Sequence, residues 1–479
     1  MRPRIFCRIV GTACLAFAGV AQAGNALDPS FGDGGIVLLQ PTPGSGVRLD
    51  RAYGIATQSD GAILLAGRTV DSGNLTFLPA VARLLPDGSW DEGFGDHGLF
   101  MLPFGTASAP SGGLLDRIGV LADGSVIAIG GTYRSPGGSS DFHSCTLLLK
   151  LDASGALDTT FGSGGTGSFC FDFAPEQQST TYFAHPDDLQ IGADDTIYIS
   201  SITNLEHGAA ARFSSSGVLD AGYGVDGVAS LPAGAYGETL ALQPDQRLLI
   251  VGQRNYGMAE PTLAAFRFLD NGETDSGFGI AGEYDLMTQS SPAFMYVQSA
   301  ATDRDDRLLV GLLQDPGFAF GFARISSGGS ADTTFNPSSQ QPGMPGLAEI
   351  SLLGGTTGGL VAARPVGDGH VFGVGFVPVD ASESSTRVVL VRLAEDAAFD
   401  PSFGDPAHPG WAEIEIGSSP SITSYPRGLT ADRQDRILIA ADTAGDAGHA
   451  GCVAILRVIP DALFDGSFDP VPASPDCPL

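Results

Sequence analysis

A nine-residue motif, in its fullest form L-D-x-x-F-G-x-x-G, returns eight times along this chain, and nothing else in the sequence limits its fold so tightly. It reads LDPSFGDGG at 27–35, WDEGFGDHG at 90–98, LDTTFGSGG at 157–165, LDAGYGVDG at 219–227 and TDSGFGIAG at 274–282. Three degenerate copies follow: ADTTFNPSS at 331–339, FDPSFGDPA at 399–407 and FDGSFDPVP at 464–472. Eight markers enclose seven units, each 55 to 68 residues long when measured at the motif aromatic. Repetition of this kind specifies a string of like supersecondary units, each of which buries its apolar faces against its neighbours.

Two further elements recur in step with the motif. The first is a hairpin signal, two apolar runs around an Asp-centred turn, clearest in YGIATQSDGAILLAG at 53–67 and repeated in every unit to GLTADRQDRILIAA at 428–441. The second is a strand ending in a basic residue: Arg83, Lys150, Arg212, Arg267, Arg324, Arg392 and Arg457. Each of these lies 8 residues before the motif Asp (Asp91, Asp158, Asp220, Asp275, Asp332, Asp400, Asp465) and 11 before the motif aromatic. So regular a register serves structure first. The basic residue is expected to pair with the motif Asp or with turn carbonyls, and the aromatic to fill the space between units. The motif Gly permits positive φ, and the Asp accepts backbone N–H bonds in the turn. These residues resemble the delta-60 repeat family of bacterial exported proteins over nearly the whole chain after the leader. Copies six and eight depart from the pattern, with Asn336 and Asp469 where Gly is expected. The resemblance implies a β-propeller-like fold and no particular activity.

Four strands per unit (two in the hairpin, one before the basic residue, one after the FG pair) point to an all-β protein, a seven-bladed β-propeller of four-stranded antiparallel blades. A β-solenoid is the alternative, although its coils are shorter, about 20–30 residues. The 67 glycines and 31 prolines suit short strands joined by many turns. Within each unit the hairpin turn and the step from basic residue to aromatic are short or fixed, whereas the other two connections vary in length. In an up-and-down blade alternate connections share a face, so one face carries fixed turns and the other variable loops, the usual seat of function. The strand at 35–39, GIVLL, is expected to complete the seventh blade, because the tail PVPASPDCPL at 470–479 has four prolines and makes a poor ladder strand.

Residues 1–23 read as an export signal: Arg2, Arg4 and Arg8, then an apolar stretch from Ile9 to Val20, then Ala21-Gln22-Ala23. The expected layout is a signal peptide at 1–23, one propeller domain at 24–470 and a tail at 471–479, with a periplasmic or secreted location and a monomeric state. Loss of the leader leaves 21 basic against 54 acidic residues, a net charge of −33. Such an excess argues against nucleic acid as a partner, and no later stretch reads as transmembrane. The partner is an unknown ligand or protein. Cys145 and Cys452 each lie 5 residues before a basic strand end, and Cys170 and Cys477 each lie 9 after a motif aromatic. Repeat symmetry therefore pairs Cys145 with Cys170 and Cys452 with Cys477, and export favours oxidation. A metal site is the rival reading, but no CxxC or nearby His set supports it, and no cofactor is expected.

No nucleophile elbow, HExxH, P-loop or EF-hand signature occurs. The histidines are scattered, and His97 replaces a variable turn residue of the motif. One constellation stands out. The first hairpin strand is rich in small residues and is expected to be innermost. Counting back 7 residues from the turn Asp reaches its far end, at Tyr53, Asp116, Asp187, Glu238 and Gln298, with Asp188 and Arg427 close by. Asp116, Asp187, Asp188, Glu238, Gln298 and Arg427 are the candidate ligand-binding residues at the channel mouth; no catalytic residue is assigned. Carboxylates converging there suit a cation, a sugar or a basic peptide. Two function classes follow: a non-catalytic binding or surface-display scaffold, or an exported glycan hydrolase or lyase using mouth carboxylates as an acid/base pair.

Overall fold

A computed structural model describes residues 26–39, 49–71, 76–102, 111–134, 143–162, 164–171, 173, 186–203, 207–255, 262–286, 294–314, 319–337, 346–350, 352, 358–367, 369–379, 385–404, 408–416, 423–444 and 452–459. Among these residues every regular element is a strand, 28 in all, arranged as seven four-stranded antiparallel sheets in a ring. The fold is a seven-bladed β-propeller, and the solenoid alternative is set aside. No helix among the described residues is long and apolar enough to cross a membrane.

Six blades are continuous in sequence. Blade 1 is β2 (Arg51–Thr57), β3 (Ile63–Asp71), β4 (Thr76–Leu84) and β5 (Leu99–Met101); blade 2 is β6 (Ser111–Val120), β7 (Val126–Arg134), β8 (His143–Leu151) and β9 (Ser168–Phe171). Blade 3 is β10 (Pro186–Ile191), β11 (Ile197–Thr203), β12 (His207–Phe213) and β13 (Val228–Ser230); blade 4 is β14 (Ala235–Leu242), β15 (Leu248–Arg254), β16 (Thr262–Phe268) and β17 (Glu283–Asp285). Blade 5 is β18 (Phe294–Thr302), β19 (Leu308–Gln314), β20 (Phe320–Ile325) and β21 (Leu347–Ile350); blade 6 is β22 (Gly359–Pro365), β23 (Val371–Pro378), β24 (Thr386–Leu393) and β25 (Trp411–Ile414). The middle strands read as unbroken apolar runs, such as LLIVG in β15, because neighbouring blades cover both of their faces. The outer strands are short, which limits open sheet edge.

Blade 7 joins the two ends of the chain. Its inner strands are β26 (Thr423–Ala431), β27 (Ile437–Ala444) and β28 (Cys452–Val458), and its outer strand is β1 (Ile36–Leu38). Ile36 pairs with Leu456, Val37 with Ile455 and Leu38 with Ala454, so the strand at 35–39 closes the ring as its apolar composition demanded. The C-terminal tail and the eighth motif lie outside the described residues.

The motif is an inter-blade clasp. Its Asp accepts the N–H two residues on through Oδ1, at 2.9–3.0 Å in all seven blades. Its Oδ2 receives the basic residue, as in Arg83–Asp91 at 2.7 Å, Lys150–Asp158 at 3.3 Å, Arg267–Asp275 at 2.8 Å and Arg324–Asp332 at 2.7 Å. In blade 7 the partner of Arg457 is Asp28, 429 residues away, at 2.8 Å. The eight-residue register had aligned Arg457 with Asp465, which lies outside the described residues; β1 brings its own preceding motif turn into blade 7. The cation then reaches across to a carbonyl of the following blade, Arg83 to Ala153 and Arg457 to Pro86 at 2.5 Å each, and Arg267 to Ser327. The motif aromatics Phe31, Phe94, Phe161, Tyr223, Phe278, Phe335 and Phe403 are fully buried. Asn336 takes the left-handed conformation (φ 52°) that Gly occupies in other copies, and His97 (φ 53°) is a solvent-facing turn residue.

Cys145 of β8 and Cys170 of β9 form a disulfide, with Cα atoms 5.5 Å apart. Cys452 is also disulfide-bonded; Cys477, its expected partner, lies outside the described residues.

Candidate functional site

The seven inner strands carry the same irregularity. Pairing with the second strand slips between Ala52 and Gly54, Leu115 and Arg117, Pro186 and Asp188, and Gly237 and Thr239. It slips again between Val297 and Ser299, Leu360 and Ala362, and Pro426 and Gly428. The extra residues are Tyr53, Asp116, Asp187, Glu238, Gln298, Val361 and Arg427; the first five are the positions reached by counting back from the hairpin turn, Arg427 was placed close by, and Val361 was not singled out. A β-bulge bends its strand, sharpens the twist and re-aims the side chain it carries. Opposite two of the bulges sit Gly67 and Gly130, where a Cβ would collide with the carbonyl oxygens of Arg51 and Leu114. Glycine there lets the bulged strand press close.

A central cavity of about 420 Å³ is lined by residues from all seven inner strands. The candidate residues divide around it. Asp188, Gln298 and Arg427 line the wall, together with Tyr53, Arg117 and Arg364. Asp116, Asp187 and Glu238 are not among the lining residues. The wall of this cavity holds three guanidinium groups and one carboxylate.

The three acids outside the lining have different surroundings. Glu238 staples blade 4 to blade 5: its Oε1 accepts from Gln253 Nε2 and its Oε2 from the Val297 N–H, both at 2.6 Å. Burial pushes its pKa up to about 7 in spite of these bonds. Burial also raises Asp187 well above the carboxylate range, against the pull of Arg117 and with the push of Glu238, Asp188 and Asp116. Its Oδ2 is buried without a hydrogen-bond partner. Asp116 is buried at 8% exposure.

Asp188 is held by four donors. Its Oδ1 accepts from Leu189 N–H (2.9 Å) and Arg117 Nε (3.2 Å), and its Oδ2 from Thr239 Oγ1 and Leu240 N–H (2.8 Å each). The last two belong to the next blade, so this carboxylate also links neighbours. Across the channel, Arg427 donates to Asp442 Oδ2 at 2.8 Å and lies over the Tyr425 ring at 4.7 Å. Burial raises Asp442, opposed by Arg427, Arg51 and Arg68.

Sequence reasoning missed Arg117, Arg364 and Asp442. A signal for Arg364 was present: three residues past the bulge, the other six blades carry Ala56, Gly119, Gln190, Ala241, Ala301 and Thr430. Among the described residues, no group of three or more His, Cys, Asp or Glu is placed to hold a metal ion.

Residues 58–94, from the first hairpin turn to the motif aromatic, match the family described as a β-propeller domain of unknown function (DUF5122). No curated protein matches the chain. Among solved structures, the β-propeller domain of the Trilobed protease from Pyrococcus furiosus is 9% identical, with 90% of this chain and 98% of that one covered and a TM-score of 0.42. A mutant NanB sialidase from Streptococcus pneumoniae is 12% identical, with 86% and 68% covered and a TM-score of 0.38. A gluconolactonase from Xanthomonas campestris is 11% identical, with 93% and 99% covered and a TM-score of 0.32. These likenesses concern the fold.

Proposed function

We propose that this protein is an exported, non-catalytic binding propeller of the delta-60 repeat type, whose central channel takes a small polar ligand. The observation that carries this reading is the bulge level. Seven blades that repeat one clasp almost unchanged carry seven side chains there that share no type except the paired aspartates, and the cavity beside them is lined from every blade. A regular clasp that fixes the blades, with varied side chains beside one cavity, is how a propeller acquires a specific site. Wall donors on Arg117, Arg427 and Gln298, with Asp188 as acceptor, suit a hydroxylated ligand carrying an acidic group, such as a uronic acid, better than a cation.

The hydrolase or lyase alternative needs two carboxyl groups facing one substrate. Glu238, whose pKa would suit an acid catalyst, has each oxygen already engaged by a protein N–H. That favours binding over catalysis. Titration calorimetry with a panel of neutral and acidic monosaccharides tests the reading. Binding by the intact protein is expected to weaken about tenfold or more in Arg117→Gln and in Arg427→Gln. A ligand that binds both variants as well as it binds the intact protein places the site away from the channel. N-terminal sequencing of exported protein is expected to begin at Gly24.

A further inference from the structure

Arg364 breaks the repeat where the repeat is otherwise plain. Its position on the inner strands is filled by Ala, Gly, Gln, Ala, Ala and Thr in the other six blades. It lies one residue before the strand's last, so it stands towards the fixed-turn end of the channel, away from the bulges. A second cavity, of about 250 Å³, opens there between the turns of blades 5, 6 and 7. The two cavities share Thr302, Arg364 and Pro365 as lining. A long cationic side chain thus stands where one space meets the other.

Its charge is poorly answered. The Nε is buried without a hydrogen-bond partner. Among the described residues no carboxylate forms an ion pair with it; the charge that favours its ionised form is that of Asp435, an exposed residue in the blade 7 turn. Burial draws its pKa below the ordinary arginine value. Every clasp arginine, by contrast, has a carboxylate within 3.2 Å. A desolvated guanidinium with no ion-pair partner among the described residues is costly to keep, and its planar fork matches a carboxylate or phosphate. Arg304 supplies a second cation on the same cavity: it is 62% exposed, and Asp305 stands 3.9 Å from its Nε.

We propose that Arg364 anchors a binding site for a small oxyanion, a carboxylate or phosphate group, at the fixed-turn end of the channel. This rests on the reading of the channel as a binding space and assigns the chemistry of its lower end. An anion seated there supplies the charge that no described residue places within ion-pair distance of Arg364, against the general repulsion of a protein with net charge −30.

The test is titration calorimetry with inorganic phosphate and with acetate at constant ionic strength, on the intact protein, Arg364→Gln and Arg117→Gln. Saturable binding is expected in the intact protein and about tenfold or more weaker in Arg364→Gln, a larger loss than in Arg117→Gln. Equal affinity in Arg364→Gln, or no saturable binding in the intact protein, overturns the site. Anion binding lost in Arg117→Gln but kept in Arg364→Gln also overturns it, while leaving the channel reading intact. Should Arg364→Gln fail to fold, phenylglyoxal modification of the intact protein decides. Phosphate is expected to protect the Arg364 peptide but not exposed Arg433, and equal reactivity at both refutes the proposal.

Discussion

The clasp level and the bulge level of this propeller lie one strand length apart and obey opposite rules. At the clasp, a basic residue, an Asp and a buried aromatic recur in every blade, with the carboxylate at 2.6–3.3 Å from the cation. At the bulge, the backbone distortion recurs but the side chains do not. Where the task is the same between every pair of blades, namely fixing the angle and spacing of neighbours, one chemical solution is repeated. Around the axis each bulge residue meets a different set of neighbours, Glu238 with Gln253 and Val297, Arg427 with Asp442. Repetition marks the frame, and departure from it marks the site.

Removing the ring closure tests the frame most severely. Deletion of residues 27–38 takes away β1, Asp28 and Phe31 together, exposing the β28 edge and leaving Arg457 without its carboxylate. Loss of the cooperative melting transition and aggregation are expected by calorimetry and light scattering; an unchanged Tm would mean that β1 is dispensable. Next in size is a single clasp. Arg267 is 4% exposed and Asp275 12%, so Arg267→Ala leaves a buried carboxylate with only Arg247, 3.4 Å away, and is expected to cost about 3 kcal/mol or more in denaturant melts. In the more open clasp of blade 3, with Arg212 19% and Asp220 41% exposed, Arg212→Ala is expected to cost about 1–3 kcal/mol. If the two losses were equal, burial would not be what sets the strength of a clasp.

The two levels also titrate in opposite senses. The clasp acids Asp28, Asp158, Asp220, Asp275, Asp332 and Asp400 are held below their ordinary value of 3.8, so their contribution is present above that pH and is lost as pH falls through their lower folded values. Glu238 is raised from 4.5 to about 7, so its contribution is complete below 4.5 and is lost as pH rises through 7. Glu238→Gln, which keeps an acceptor for Val297 N–H, is expected to gain about 1–3 kcal/mol over the intact protein at pH 8 relative to pH 4. Parallel stability curves for the two proteins would show that Glu238 titrates normally. The smallest effect is expected at the apolar bulge: Val361→Thr should shift stability by about 0.5 kcal/mol or less. A larger loss would make the bulge level part of the frame.

Much of this was legible in the residues themselves. The spacing of Arg267 to Asp275 and Phe278 gave the clasp, GIVLL gave the closing strand, and the symmetric positions of Cys145 and Cys170 gave the disulfide. The count back from the hairpin turn reached the bulge in five blades and passed beside it at Arg427, because side-chain register along a strand is fixed by chain geometry; the apolar bulge residue Val361 gave no polar signal to find. What the count could not supply was direction. It placed Asp116, Asp187 and Glu238 near the mouth, but a bulge resets the alternation of faces, and only the packing of adjacent inner strands decides whether a side chain meets the cavity or the neighbouring blade. Thus Glu238 turned to Val297 and Asp188 to Leu240, both on the next blade and more than fifty residues away.

The sequence by itself determined the number of repeats, their strands and the spacing of the clasp, since each depends on local periodicity or on one repeated spacing; both chain ends offered a closing strand, and the ring took β1. The tertiary structure alone decided which charges face the channel and which are answered. Arg117 met Asp188 and Arg427 met Asp442, while Arg364 met no carboxylate among the described residues. Ion pairing depends on distances of a few ångströms between residues far apart in the chain, and those distances exist only once the ring has closed.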